Sequence, residues 1–277
     1  MKFSLFKRFA APPETRELAP AAPRSDFNKF ELRAPSAKTL IDIFAGKWAS
    51  DLSGFCPGLE PGGIGLFSDP RVTQAVHLLG ANGRFDGANV LELGPLEAGH
   101  TYQLELLGAM VTAIEANREA FLKCLIVKEL LGLKNSRFLM GDFIAFLEES
   151  SQKFDLIYAS GVLYHMSDPI RLIELIAAHT DRCFMWTHYY DPAHYVGAQR
   201  TPRTIDRAGA RFTFYEADYG NTCHDQFWGG NKPVASWLSR EDMETAFRAY
   251  GFNKFTWILD DPGHINGACA TFTAEKY

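Results

Sequence analysis

The chain has 277 residues, 47% hydrophobic and 22% charged, a balance that excludes wholesale disorder and lets a large core form without disulfides or a structural metal. Its 28 Lys+Arg against 33 Asp+Glu give a net charge of −5, which argues against a broad nucleic-acid or anionic-membrane surface and leaves room only for a local basic groove. Five scattered cysteines (Cys56, Cys124, Cys183, Cys223, Cys269) contain no C-x-x-C pair and fit reduced thiols in a cytoplasmic protein better than a disulfide framework or a zinc site.

Residues 1–25 read as a flexible tail and linker. Lys7 and Arg8 interrupt the apolar start, so no signal-peptide core forms. A frayed end is preferred over a peripheral membrane anchor through Phe3, Leu5, Phe6 and Phe9. The Ala/Pro-rich stretch 10–25 is extended, because proline fixes φ and stops a helix. No apolar run approaches the ~20 residues of a membrane-spanning helix, so no stable membrane insertion is expected. Residues 26–86 predict an N-terminal helical extension or lid, with KTLIDIFAGKW helical, GFCPGLEPGGIGLFSDPR a Gly/Pro-rich loop, and Asp69-Pro70 a helix start.

From residue 87 the rhythm changes to short apolar runs separated by helical patterns. NVLELG (89–94), MVTAIEA (110–116), RFLMGD (137–142), KFDLIYAS (153–160) and RCFMWTHYY (182–190) predict five buried strands. Helices fall between them, one from Asn117 to Gly132 with a cap at each end and one starting at Asp168-Pro169. Alternating buried strands and helices imply a doubly wound α/β fold with a mostly parallel sheet covered on both faces. Residues 191–236 break the rhythm and read as an insertion with little periodicity. SREDMETAFRAYGF is a helix with a Ser239/Asp242 capping box, and FTWILDD and ACATFTAEK form an antiparallel hairpin at the sheet edge.

Ligands of a doubly wound sheet bind beyond the C-terminal strand ends, so the first strand–loop–helix, VLELGPLEAGHTYQLELLGA, is the place to look. As a P-loop it has Gly94, Gly99 and Thr101, but His100 stands where the phosphate-binding lysine belongs. As a dinucleotide fingerprint it has Leu96 in place of the middle glycine, which would crowd a pyrophosphate. The third reading is a loop for S-adenosylmethionine (SAM), a ligand without phosphates that needs neither feature. Glu92 can then order the loop or accept from an ammonium, and Glu115, at the end of the second strand, can accept ribose hydroxyls. That acid alone does not separate SAM from NAD.

The remaining motifs separate them. LELG…G (92–99), the strand-ending acid in VTAIEAN, GDF (141–143) and FDLIYASGVLYHMSDPIRLIELI together resemble the class I SAM-dependent methyltransferases over roughly residues 87–277. The segment SGVLYHMSDP also resembles the tRNA wobble-uridine carboxymethyltransferases, which use a modified SAM. The resemblance implies a seven-stranded Rossmann-like sheet, SAM as cofactor, and a methyltransferase domain over 87–277 with an acceptor-side insertion at about 191–236. It places Glu92, Gly94 and Gly99 at the methionine end, Glu115 at the ribose, Asp142 and the Phe143 amide at the adenine, and Ser160 and Gly161 alongside the cofactor. PLEA takes the place of the middle of the family's glycine-rich loop, and Glu97 reads as a surface residue where the helix starts.

Methyl transfer from a sulfonium is an in-line displacement, and a protonated oxygen nucleophile benefits from a general base near pH 7. His165 and His188, just beyond the fourth and at the end of the fifth strand, are the candidates. Each has the rival reading of a structural histidine bonding a loop carbonyl. Tyr164, Tyr189, His224 and Trp228 are candidate acceptor-side residues, Arg71 reads as a surface arginine rather than a lid, and no metal site is expected. The expected function is methyl transfer to a small-molecule or glycan acceptor, at oxygen, with a histidine base. Two alternatives are a tRNA-modifying methyl- or carboxymethyltransferase, which needs a basic channel, and a non-catalytic SAM-fold binding module.

Overall fold

In the computed structural model the described residues are 30–56, 62–195, 200–220 and 230–277. Two units are distinguished, Met1–Pro35 and Ser36–Tyr277. The expected tail 1–25 lies outside the described residues. Within 30–35, Arg33 pairs with Glu31.

The second unit starts with α1 (Ala37–Ile41), capped by Ser36. The predicted helix over KTLIDIFAGKW is shorter than expected: α1 passes into a 3-10 turn at Asp42–Phe44 and stops ahead of Gly46, whose φ is +73°. Trp48 folds back so that its indole N–H donates to the Ile41 carbonyl at 2.9 Å. A second 3-10 turn, Leu66–Ser68, leads into α2 (Pro70–Leu79), where Asp69 caps the Arg71 amide and Pro70 fills the first helical position as the sequence predicts.

The five apolar runs are β1 (Asn89–Leu93), β2 (Met110–Glu115), β3 (Ser136–Met140), β4 (Leu156–Ser160) and β5 (Arg182–His188). They alternate with α3 (Gly99–Leu106), α4 (Arg118–Leu131), α5 (Phe143–Glu149) and α6 (Pro169–His179). The small sheet of the insertion is β6 (Thr201–Arg207), β7 (Ala210–Asp218) and β8 (Val234–Trp237), and the chain closes with α7 (Arg240–Ala249), β9 (Lys254–Asp261) and β10 (Cys269–Glu275). The main sheet has seven strands in the order β3-β2-β1-β4-β5-β10-β9, with β1 to β5 parallel and β10 antiparallel to both neighbours. The final hairpin is thus at the edge as expected, with the last strand inserted inside β9.

Alternate residues of the central strands feed two cores. Leu156, Tyr158 and Phe184 join one cluster with α2 and α4, while Ile157, Ala159, Cys183 and Met185 join another with α6 and α7. This two-sided burial explains why the strands are continuous apolar runs. The four described cysteines are buried and free. No described helix is long and apolar enough to cross a membrane.

Two local expectations are corrected. The insertion is not irregular: β6 and β7 form a hairpin through Ala208–Gly209, both at positive φ, and β8 adds a third antiparallel strand. At α7, Ser239 caps the Asp242 amide, but Asp242 does not complete a capping box and accepts instead from the Thr213 amide of β7 at 2.9 Å. That bond ties the insertion to the last helix. A second tie is β8, whose Ser236 amide donates to the Met166 carbonyl and whose hydroxyl donates to the Ser167 carbonyl.

Candidate active site

The chain runs outward from β1 to β3 and then returns to β4 on the other side of β1, so the switch point lies between the C-terminal ends of β1 and β4. A cavity of about 900 Å³ is centred there, reached by residues that follow β1, β2, β3 and β4. Its walls hold Gly94, Glu115, Asp142, Phe143, Ser160, Gly161, Tyr164 and His165, eight of the residues singled out in the sequence.

At β1 the turn requires Gly94: φ is +66°, and a Cβ would sit 2.9 Å from Val162 Cγ1. Leu96 and Ala98 adopt φ of +57° and +64°, a left-handed backbone that costs an L-residue about 1–2 kcal/mol each. Glu115 is held by this loop, accepting from the Leu96 amide at 3.2 Å and the Asn117 amide at 2.8 Å. Burial raises its carboxyl above the ordinary range, against those amide bonds. Asp142 caps α5 through the Ile144 amide at 2.8 Å and accepts from Asn231 Nδ2 at 2.7 Å, so the insertion reaches across to the adenine side expected from the resemblance. A Cβ at Gly230 would come within 2.5 Å of the His165 carbonyl, which shows how closely the segment leading into β8 approaches this wall.

Beneath the cavity lies a polar layer. Arg71 donates to Asp69 and, at 2.8 Å, to Ser160 Oγ, and its guanidinium lies 4.6 Å from the Trp186 ring centroid. It lines the cavity, so the surface reading is corrected. Burial alone would raise Asp69, but the close His100 ring and the hydrogen-bonded Arg71 guanidinium hold it well below the ordinary carboxylate range. His100 Nε2 is 3.2 Å from Asp69 Oδ2, out of hydrogen-bonding alignment, and burial lowers its ring. Glu92 accepts from the Thr101 hydroxyl on Oε2, its Oε1 is unpartnered, and burial pushes it up to about 8. Glu92 and Gly99 do not line the cavity. Gly99 is needed for packing, since a Cβ there would lie 2.7 Å from the Leu66 carbonyl carbon.

The two histidines differ in placement. His165 is half-buried on the cavity wall, and burial, with His188 nearby, lowers it to about 4. His188 does not line the cavity: Nδ1 lies 2.9 Å from the Gly267 carbonyl and the ring stacks on Trp237 at 5.4 Å. It backs Tyr164, with ring centroids 4.8 Å apart. Tyr164 faces the cavity, and burial pushes its hydroxyl up to about 12. Tyr189 is corrected: it is 4% exposed, off the cavity wall, and donates to Asp260 Oδ1 at 2.7 Å. His224 and Trp228 lie outside the described residues. Among the described residues no cluster of three or more His, Cys, Asp or Glu is placed to hold a metal ion.

Sequence reasoning missed Trp186, Asn231 and the burial of Glu97. Expected at the surface, Glu97 is fully buried, accepts from the Ala49 and Ser50 amides at 3.1 and 2.7 Å, and pairs with the fully buried Lys123 at 3.0 Å. An acid and a lysine 26 residues apart, each within an apolar stretch, were the one available hint.

Residues 84–186 match the family profile of a methyltransferase domain. No curated protein matches the sequence. Among solved structures, the N-terminal domain of EvdMO1, crystallised in the presence of SAH (S-adenosylhomocysteine) and D-fucose, superposes with a TM-score of 0.66 at 20% identity over 87% of this chain and 94% of that one. Whole EvdMO1 gives 0.56 at 19% identity over 86% of this chain, which spans 47% of that longer protein. Magnesium protoporphyrin IX methyltransferase from Synechocystis PCC 6803, with bound SAM, gives 0.51 at 15% identity over 88% and 99%. The cavity fits such a ligand: the Gly94 cradle is space that a Cβ would fill, and a buried acid ends β2. Residues 84–186 thus match a methyltransferase domain, and the described chain shares the mostly parallel, Rossmann-like fold of these solved structures.

Proposed function

We propose that the enzyme methylates a hydroxyl of a small polyhydroxylated acceptor, a sugar or glycan, with His165 as general base. The observation that carries this reading is a cavity-facing imidazole kept neutral by its surroundings, between Tyr164 and the Gly230–Asn231 segment. Bound SAM supplies a sulfonium methyl group as the electrophile. The chain's own residues then hold, orient and deprotonate. Glu115 accepts ribose hydroxyls on the lone pairs its amide partners leave, Asp142 and Phe143 bracket the adenine, and Gly94, Ser160 and Gly161 line the path between.

A base lowered to about 4 is weak in the ground state but always unprotonated at neutral pH. That suffices, because an acceptor oxygen becomes strongly acidic as its bond to the methyl carbon forms; a positioned base contributes about 10²–10⁴-fold. Trp186 and Tyr164 offer aromatic faces beside this base, and Asn231 and Arg71 offer polar contacts, a mixture suited to a sugar ring. The similar EvdMO1 domain, crystallised in the presence of D-fucose, supports a sugar as the first acceptor class to try.

The test is SAH release from SAM with free and nucleotide-linked hexoses and deoxyhexoses. His165→Ala and His165→Gln are expected to lose about 10²–10⁴-fold in kcat with SAH affinity retained. Full turnover by either variant removes the base assignment, and an enzyme that accepts only amines overturns the oxygen target.

A further inference from the structure

The loop that follows β1 bends through Leu96 and Ala98 in left-handed backbone, where glycine would sit without strain. Something outside the loop must hold it there. Between these two residues, Glu97 turns inward and is fully buried. Its two oxygens accept from the Ala49 and Ser50 amides, and Oε1 lies 3.0 Å from Lys123 Nζ of α4. Lys123, equally buried, also donates to the Lys47 carbonyl at 2.6 Å, pairs with Glu119 at 3.1 Å, and lies 5.6 Å from the Phe44 and Trp48 ring centroids.

A buried ion pair is not needed for stability as such, since packed apolar residues of similar volume serve as well. What this pair provides, and an apolar pair cannot, is two acceptors for backbone amides and a fixed bearing on α4. It acts on the same loop whose Leu96 amide donates to Glu115.

We propose that Glu97 and Lys123 are positioning residues for the cofactor: they clamp the loop 94–98 in its left-handed form, replacing glycine's conformational freedom by an external tether. The inference rests on the reading that this loop cradles SAM. The clamp touches neither cofactor nor acceptor. It sets where the Gly94–Leu96 backbone and the Glu115 carboxylate lie, so its effect is on cofactor affinity.

The experiment is calorimetric titration of the full chain with SAH, alongside thermal unfolding without ligand, for the parent, Glu97→Gln, Ala98→Gly and the Glu97→Gln/Ala98→Gly double variant. Glu97→Gln is expected to raise the SAH Kd about tenfold, the equivalent of one left-handed L-residue's strain. Ala98→Gly alone should leave Kd within about threefold, and in the Glu97→Gln background it should recover most of the loss, because glycine holds positive φ unaided. A purely structural pair predicts no such rescue. If Glu97→Gln does not fold, Glu97→Gln/Lys123→Met, which leaves no unpaired buried charge, takes its place with the same expected weakening and rescue. A lowered Tm with unchanged Kd overturns the positioning role, and a weakened Kd that Ala98→Gly leaves unimproved overturns the strain argument. A parent chain that does not bind SAH at all overturns the cofactor-loop reading itself, a result distinct from both.

Discussion

Glu92→Gln tests whether the carboxyl beneath the cavity is neutral in the folded chain. Burial pushes Glu92 from the ordinary 4.5 to about 8, against the Thr101 hydrogen bond and with the Glu115 charge adding to the rise. Between those values the folded chain keeps a proton that the unfolded chain has released. The associated stability is therefore full below pH 4.5 and is lost as pH rises through 8. At ~1.36 kcal/mol per pH unit the interval amounts to roughly 5 kcal/mol, an upper figure because relaxation and water penetration soften such penalties. The glutamine side chain keeps the shape and the Thr101 contact without the titration. The difference in unfolding free energy between variant and parent should then climb in the variant's favour from pH 5 to pH 9. Urea unfolding followed by circular dichroism at pH 5, 7 and 9 yields both curves. A difference that stays flat across that range means Glu92 is ionised in the folded chain, and the reasoning from burial fails.

Gly94→Ala should cost about 1–2 kcal/mol from the positive φ alone. The 2.9 Å approach to Val162 adds to that, so both Tm and SAH affinity should fall; an unchanged Kd would show that the loop does not touch the ligand. Tyr189→Phe removes the 2.7 Å bond to Asp260 and should lose about 0.5–1.5 kcal/mol of stability while leaving SAH affinity and turnover intact, the reverse of what an acceptor contact predicts. The pH profile of kcat/KM reports the free enzyme. With His165 lowered to about 4, it should be level from pH 6 to 8 and fall only as pH drops toward 4; a limb at 6.5 would point to an unburied base. The same shift has a stability counterpart: His165 favours folding above 6.5, and that contribution is lost as pH falls through 4.

The parallel half of the sheet was legible because β1, β2, β4 and β5 are buried on both faces along most of their length, which forces continuous apolar runs, and because Asp69, Asn117 and Asp168 cap helices by local bonds that sequence spacing encodes. The insertion was not. β6 is exposed along most of its length and carries Pro202, so it shows no alternation, and its turn uses Ala208 where the usual signal is Asn or Asp. On the cavity side the readable residues are those at strand ends, where topology alone brings Gly94, Glu115, Asp142 and Ser160 together. Arg71 and Glu97 were misread as surface because their partners lie 89 residues away at Ser160 and 26 and 47 residues away at Lys123 and Ser50. Tyr189 was misassigned because β5 ends at His188, and one further residue turns its side chain toward Asp260 of β9.

On the proposed reading, the cofactor and acceptor sides are built by separable means. Gly94, Glu115 and Asp142 are fixed by the ends of β1, β2 and β3 and by amides of their own loops. The acceptor wall is fixed from the other direction, through Ser236 of β8 bonding the Met166 and Ser167 carbonyls next to His165. A change in the insertion therefore moves the wall and the imidazole together and leaves Glu115 where it is. Asn231 donates to Asp142 between the two sides through an exposed amide. Removing the Ser236 hydroxyl bond to Ser167 by Ser236→Ala should accordingly lower turnover with little effect on SAH affinity, which is how a common fold accommodates many acceptors around one cofactor site.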